Sequence, residues 1–372
     1  MPVKEYEKKK GYYVRARVLP AKTSLKLVVN NLPAQVKLYT FSINNRRYLG
    51  NKYKLNEFIK STIAEECGKF ETFADLFAGT GAVASLFPDK HLIVNDILYS
   101  NYVCHQTWFG AEKYSESKIV GYINKYNEIK IVSNNYMSKN YAETYFSTVN
   151  CKKIGYIRED IEKNFKSGLL NRREKYILIT SLLYAMDKIA NTCGHYDAYR
   201  KNGELDKALI LGIPLIKETN SDNEIYNEDI NNLVKVVSAD VVYLDPPYNS
   251  RQYCDAYHLL ENVARWEKPE VFGVAKKMDR TTLKSDYCTT NAVSAFEDLI
   301  FNIKAKYIVL SYNNMAEKGD ERSNAKLSDN DIYRILNKKG KVKTFEQEYK
   351  AFSTGKSNLG KNAERLFVCR CF

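Results

Sequence analysis

Thr72-Phe73-Ala74-Asp75-Leu76-Phe77-Ala78-Gly79-Thr80-Gly81-Ala82-Val83-Ala84 is the stretch on which the reading of the fold turns. Thr72 to Phe77 reads as a strand and Ala82 to Phe87 as the start of a helix. Between them Gly79 and Gly81 let the backbone turn sharply and approach a ligand where a Cβ would intrude. The next strand, His91 to Asn95, ends in Asp96. A strand–helix–strand course argues for a parallel sheet, and a carboxylate at the tip of the second strand is how such folds hold a ribose diol. A G-x-G turn on its own is equally a plain tight turn. Ala84 stands where the third glycine of a G-x-G-x-x-G fingerprint would be, and no G-K-[ST] follows this turn, so it is not a P-loop. The expected ligand is nucleoside-like, with no phosphates that need a cradle.

Further along, Val241-Val242-Tyr243-Leu244 is an apolar, β-branched run that reads as a strand buried on both faces. Asp245-Pro246-Pro247-Tyr248 follows it at once. Two prolines end the strand, since neither can donate to a ladder and both restrict φ. A carboxylate, a rigid carbonyl and an aromatic ring are thereby held at the carboxyl end of a sheet, where open α/β sheets bind ligands. Two acceptors beside a stacking ring suit the exocyclic amino group of a base rotated out of a duplex. The tetrapeptide by itself is equally an ordinary proline turn.

The chain has 372 residues, enough for one large or two modest domains, and 57 Lys+Arg against 44 Asp+Glu give a formal charge of +13. That balance favours a polyanionic partner, with double-stranded DNA the obvious candidate. No stretch approaches ~18 uninterrupted apolar residues, so no membrane span is expected. Met1 to Lys10 is basic and lacks the apolar stretch of a signal peptide, which makes the cytoplasm the expected compartment. The eight cysteines are scattered apart from Cys369-x-Cys371, and the four histidines show no H-x-x-x-H spacing, so no metal site is expected. Tyrosine is abundant at 29 residues; some rings could stack on bases, while most belong to core or surface.

The expected fold is α/β, a doubly wound, mainly parallel sheet with a mostly helical inserted domain. Residues 1–40 form a basic amino-terminal segment, with a strand at Tyr13 to Val18 that belongs either to the core or to a DNA-facing arm. Residues 41–100 carry the cofactor loop, 101–222 the helical insert, and 223–372 the second half of the sheet. In the insert, Ile177, Leu178, Leu182, Met186 and Ile189 form an apolar stripe on a helix from Glu174 to Ala190. Further strands are expected at Glu224 to Asn227, Tyr307 to Leu310, Val342 to Glu348 and Leu366 to Arg370. A basic loop is expected at Ser353 to Asn362. Asn191 to Arg200 could hold a flipped base or a phosphate, or be a helix C-cap at Gly194 with solvated neighbours.

Three blocks in order resemble the N6-adenine DNA methyltransferases of the D12 type, and most closely the FokI-like restriction–modification methylases. They are Arg47-Tyr48-Leu49-Gly50-Asn51-Lys52-Tyr53-Lys54-Leu55, Asp75 to Gly81, and Asp245 to Tyr248. Asn249 to Tyr253, His258 to Asn262 and Leu310 to Asn314 narrow the likeness to the FokI-like branch. The resemblance implies the S-adenosylmethionine-dependent methyltransferase fold, S-adenosylmethionine as cofactor with S-adenosylhomocysteine as product, no metal, and target recognition by the insert. It also implies a restriction–modification system and hence a cognate restriction endonuclease as a candidate partner. By resemblance Asp245, Pro246 and Tyr248 are catalytic: two acceptors for the amino group and a ring that stacks on the base. Tyr48, Lys52, Asp75, Phe77, Gly79 and Gly81 surround the cofactor, Lys52 pairing with its methionine carboxylate. Asp96 meets the ribose hydroxyls, Ile97 is a further cofactor contact, Asp229 reaches the cofactor adenine, and Asp245 borders the same site. As an isolated residue, Asp229 is equally a helix N-cap. Arg251 is placed to contact DNA backbone.

Two rival readings remain at this stage. One is a methyltransferase of the same fold acting on cytosine N4, RNA adenine or a protein glutamine; Asp245 favours adenine, since those tetrapeptides tend to begin with Ser or Asn. The other is a catalytically silent DNA-binding subunit, against which intact Asp245, Tyr248, Gly79, Gly81 and Asp96 speak.

Overall fold

In the computed structural model, residues 38–218, 220–313, 325–348 and 363–372 are described. The strand expected at Tyr13 to Val18 and the loop expected at Ser353 to Asn362 lie outside them. The strands are β1 (Thr40–Phe41), β2 (Thr72–Asp75), β3 (His91–Asn95), β4 (Ile213–Pro214), β5 (Glu224–Tyr226), β6 (Ala239–Leu244), β7 (Ala305–Asn313), β8 (Gly340–Glu348) and β9 (Ala363–Cys371). The helices are α1 (Asn56–Cys67), α2 (Tyr99–Phe109), α3 (Glu116–Glu128), α4 (Tyr136–Tyr141), α5 (Thr148–Lys166), α6 (Arg172–Ile189), α7 (Ile230–Leu233), α8 (Tyr253–Ala256), α9 (His258–Arg265), α10 (Ala292–Asn302) and α11 (Asp329–Leu336).

Seven strands form one sheet in the order β5-β3-β2-β6-β7-β9-β8. The first five are parallel, and β9 runs antiparallel to both β7 and β8. The chain starts in the middle at β2, steps outward through β3 to β5, then returns to β6 and continues the other way. The gap between the carboxyl ends of β2 and β6 is therefore the topological switch point.

Both faces of the sheet are covered, as the uninterrupted apolar runs of β2 and β6 require. Side chains alternate between faces along each strand. Phe73, Val241, Tyr243 and Val309 enter one core with α1, α2, α6 and α9, whereas Ala74, Val242, Leu244, Ile308 and Leu310 enter the other with α7, α10 and α11. Helices α2 to α6, which account for most of residues 101–222, share the first core with the sheet. Residues Leu38 to Phe372 form one compact unit. Ile177, Leu178, Leu182, Met186 and Ile189 are all buried on α6, and most of their neighbours on that helix are buried too. It runs through the interior instead of lying on it.

The helix expected at Ala82 to Phe87 is absent: a single 3-10 turn, Ala84–Leu86, stands there. Pro88 cannot donate a hydrogen bond and follows too closely for more than one turn to form. A segment that short does not recover the cost of helix nucleation. The Asp75 carboxylate holds the turn by accepting from the Ala84 N–H at 3.1 Å.

Candidate active site at the switch point

Three adjacent parallel strands each end in, or directly before, an aspartate. Asp75 closes β2, Asp96 follows β3 and Asp245 follows β6. In-register pairing of Asp75 with Val94 and with Tyr243 brings the three strand ends side by side. They border a cavity of about 420 Å³, within the usual size range of small-molecule sites. Tyr48, Lys52, Phe77, Gly79, Ile97 and Asp229 line it as well.

Of the residues expected at the cofactor, Gly81 does not line the cavity. Its φ of +82° makes the turn, and a Cβ there would lie 2.9 Å from the Phe109 ring of α2. Gly81 serves the packing beneath the loop. Gly79 is the glycine on the cavity side, with φ +54° and space for a Cβ only 3.0 Å from the Tyr48 ring. Tyr48 is itself fixed, stacked on Tyr257 at 4.5 Å and accepting from Asn101 Nδ2 at 3.0 Å. Behind it the buried Arg46 guanidinium lies 5.5 Å from the ring and donates to Asn101 at 2.8 Å.

Asp96 accepts from the Gly79 N–H at 2.9 Å and from the Leu98 N–H at 2.9 Å, which ties the glycine turn to the tip of β3. Burial pushes its carboxyl up to about 6, against those N–H donors. A carboxylate has about four lone-pair directions, so acceptor capacity remains for a ligand hydroxyl. Asp75 is more deeply buried, and burial lifts it to about 8 against the Ala84 N–H. Its second oxygen, Oδ1, finds no hydrogen-bond partner within the protein. A buried acceptor left open on a cavity wall suits a ligand donor. Asp229 proves to be an N-cap, accepting from the Asn232 N–H at 3.2 Å, and a cavity wall residue at once.

Lys52 lines the cavity and is paired within the protein. Its ammonium lies 2.8 Å from Asp245 Oδ1 and 3.5 Å from Glu364 Oε1, and it is buried. Burial raises Asp245 to about 6, with Lys52 opposing and Glu364 reinforcing. Pro246 is buried in the turn, and Tyr248 stands to one side of the cavity with its ring edge-on to Tyr312 at 6.3 Å. The Tyr312 hydroxyl accepts from the Leu327 N–H at 3.1 Å and donates to the Tyr248 carbonyl at 3.4 Å, bracing the turn from β7. Arg251 is exposed just beyond.

Asn191 to Arg200 folds back on itself through a bridge between Thr192 and Tyr199, with the Asn191 amide donating to the Arg200 carbonyl at 2.8 Å. The helix cap is Ala190, not Gly194. Two groups at the site are missed in the sequence reading. Glu364 reaches the site from the last strand, and Tyr287 packs edge-on to Phe77 at 5.1 Å, opposite the glycine turn. A polar residue at the head of an apolar strand was the available hint for Glu364. For Tyr287 there was none.

Acidic side chains outnumber cations on this wall even with Asp75 set aside: Asp96, Glu228, Asp229, Asp245, Asp286 and Asp298 face Lys52 and Lys284. In a chain of charge +13 that is a local inversion, suited to a cationic ligand. Among the described residues no group of three His, Cys, Asp or Glu could hold a metal ion, and no helix is long and apolar enough to cross a membrane.

The family model for D12 class N6 adenine-specific DNA methyltransferases matches residues 48–324. Among individual proteins, the modification methylase StsI of Streptococcus sanguinis is 40% identical over 288 residues, covering 72% of this chain and 44% of the relative. The modification methylase LlaI of Lactococcus lactis subsp. lactis is 32% identical over 86% of this chain and 53% of its own length. The type II methyltransferase M.NlaIII of Neisseria lactamica is 32% identical over 83% of this chain and 93% of its own. The chain thus spans about half the length of the first two and nearly all of the third.

Proposed function

The chain belongs to the D12 class of N6 adenine-specific DNA methyltransferases, and from that premise we propose that it transfers a methyl group from S-adenosylmethionine to N6 of an adenine rotated out of duplex DNA. The observation that carries the reading is the row of three strand-end carboxylates around one cavity, with the Asp245 turn at its edge.

The residues fit the methyl donor. Asp75 Oδ1 is an open acceptor for the ammonium of its methionine part, and Gly79 lets the backbone approach beside Tyr48. Asp96 takes the ribose hydroxyls. Phe77, Ile97 and Tyr287 form an apolar slot beside Asp229 for the adenine ring. The excess of carboxylates matches the positive sulfonium. When bound, S-adenosylmethionine supplies a methyl group already activated for transfer and is released as S-adenosylhomocysteine.

The chain's own part is binding and electrostatic placement. Adenine N6 is a weak nucleophile because its lone pair is delocalised into the ring. With Lys52 on Oδ1, the other oxygen of Asp245 is the acceptor for one N6 hydrogen, and the Pro246 carbonyl accepts the other. Both stabilise positive charge as it develops on nitrogen. Tyr248 stacks on the extruded base and offsets part of its unstacking cost of a few kcal/mol. Helices α2 to α6 with the loop at Asn191 to Arg200 supply target recognition. A restriction–modification context with a cognate endonuclease, in the cytoplasm, is consistent with relatives named as modification methylases.

Incubation with labelled S-adenosylmethionine and DNA lacking adenine methylation, followed by sequencing for modified bases, tests the reading. N6-methyladenine confined to one sequence motif is expected. Label on cytosine N4, on RNA alone, or nowhere would overturn it.

A further inference from the structure

Glu364 is a buried charge that the roles above leave unused, and with Lys52 it forms a charged group beside Asp245. The Lys52 ammonium meets three oxygens: Asp245 Oδ1 at 2.8 Å, Glu364 Oε1 at 3.5 Å and the Gly50 carbonyl at 3.5 Å. The same Glu364 oxygen accepts from Ser311 Oγ at 2.7 Å, on the neighbouring strand β7. Only 3% of Glu364 and 6% of Lys52 is exposed, so neither is an ordinary surface charge. A lysine side chain has four flexible bonds, and burial without fixed partners would be costly. Ser311 anchors Glu364, Glu364 and Gly50 hold Lys52, and Lys52 sets the rotation of Asp245.

We propose that Glu364 is a positioning residue for methyl transfer: it holds the Lys52 ammonium so that Asp245 keeps one oxygen turned to the amino group, and its own charge keeps the site negative. The argument rests on charge as well as geometry. Asp245 and Lys52 alone make a neutral pair, which offers little to a cation forming on N6. Adding Glu364 leaves the group at one net negative charge inside a low-dielectric wall, where such a charge acts strongly. The other ionisable groups facing Asp245 are Asp75 on β2, Tyr243 on β6, Tyr248 in the turn and Tyr253 on α8. Lys52 is the cation in direct contact with it.

The inference rests on the methyltransferase reading, and the test separates the two. Wild-type protein that labels adenine upholds the reading whatever the variants do. Glu364→Gln keeps an oxygen for Ser311 and Lys52 but removes the charge. Its acid limb in kcat should move to lower pH, because Glu364 raises the proton affinity of Asp245. Its plateau kcat should fall by about tenfold, with the KM for S-adenosylmethionine nearly unchanged. Glu364→Asp should recover part of the plateau. Carboxyl-carbon NMR titration of Asp245 in the free protein, assigned with Asp245→Asn, should show the same downward shift without any turnover. A Glu364→Gln protein that melts like wild type, with its pH limb, plateau and Asp245 titration unmoved, would overturn the proposal.

Discussion

At Asp245 one carboxylate oxygen already lies against an ammonium, so the chemistry of the site depends on the other. Asp245→Ala should lower methyl transfer by more than about 100-fold while calorimetry finds S-adenosylmethionine bound almost as tightly, because the lost acceptor matters most in the transition state. The acceptor must be ionised. With its carboxyl raised to about 6, the wild-type rate should be full above that pH and fall as pH drops through it. A rate that stays flat down to an ordinary carboxylate pKa would show that Asp245 does not titrate in the reacting state. At Tyr248, stacking needs only the ring. Tyr248→Phe should be mild and Tyr248→Ala severe in kcat/KM. Equal loss in both would make the hydroxyl the essential part.

Among the elements, the tip of β3 does two jobs. Asp96 holds the Gly79 and Leu98 N–H groups as well as lining the cavity. Asp96→Ala should therefore raise the Kd for S-adenosylmethionine and also cost about 1–3 kcal/mol of stability, since two N–H groups lose their acceptor. Site preference on DNA should not change. Weaker binding with no loss in melting temperature would mean that the turn does not need the carboxylate. Residues 101–222 contain four arginines, three on helices and Arg200 in the loop after α6, and their surroundings divide them. Arg158 donates to the Val263 carbonyl at 2.7 Å and to Glu162 at 2.7 Å, and Arg173 donates to the Glu112 carbonyl at 2.8 Å; both are buried. Arg172 and Arg200 are exposed. Arg158→Ala should destabilise the fold by about 2–3 kcal/mol in denaturant titrations. Arg172→Ala and Arg200→Ala should melt like wild type and act on DNA. A lost phosphate contact lowers the salt slope by about one unit on every sequence, whereas a lost base contact relaxes one position by about 1–3 kcal/mol. If both can be neutralised without changing site preference, these arginines do not read the DNA sequence.

For the whole molecule, one apolar core runs from the sheet into α2 to α6. Removing residues 101–220 would strip that face of β2, β3 and β6, so the truncated chain should fail to fold instead of becoming an unspecific methylase. Circular dichroism and limited proteolysis would distinguish the two outcomes. A ligand seated at the switch point binds only the folded state. S-adenosylmethionine at about a hundred times its Kd should stabilise the protein by roughly 2.7 kcal/mol, visible as a raised melting temperature. Asp96→Ala at the same concentration should show less of that gain.

Windows of about ten residues were enough to place β2, β3, β5 and β6 and the aspartates at their ends, because apolar runs, glycines and prolines act on the backbone next to them. The same windows placed the apolar stripe of α6. They failed where a side chain's partner is remote in the chain. Gly81 faces Phe109 of α2, not the cavity, because the following helix closes over the back of the turn. The helix expected after it is cut to one 3-10 turn by Pro88. Helices α2 to α6 cover the sheet because one face of β2 and β6 has to be buried. Glu364 meets Lys52 because β9 enters antiparallel beside β7, pairing Glu364 with Asn313 close to the end of β6. Strand order decides such meetings, and strand order is settled by the burial of both sheet faces together, which no local pattern encodes.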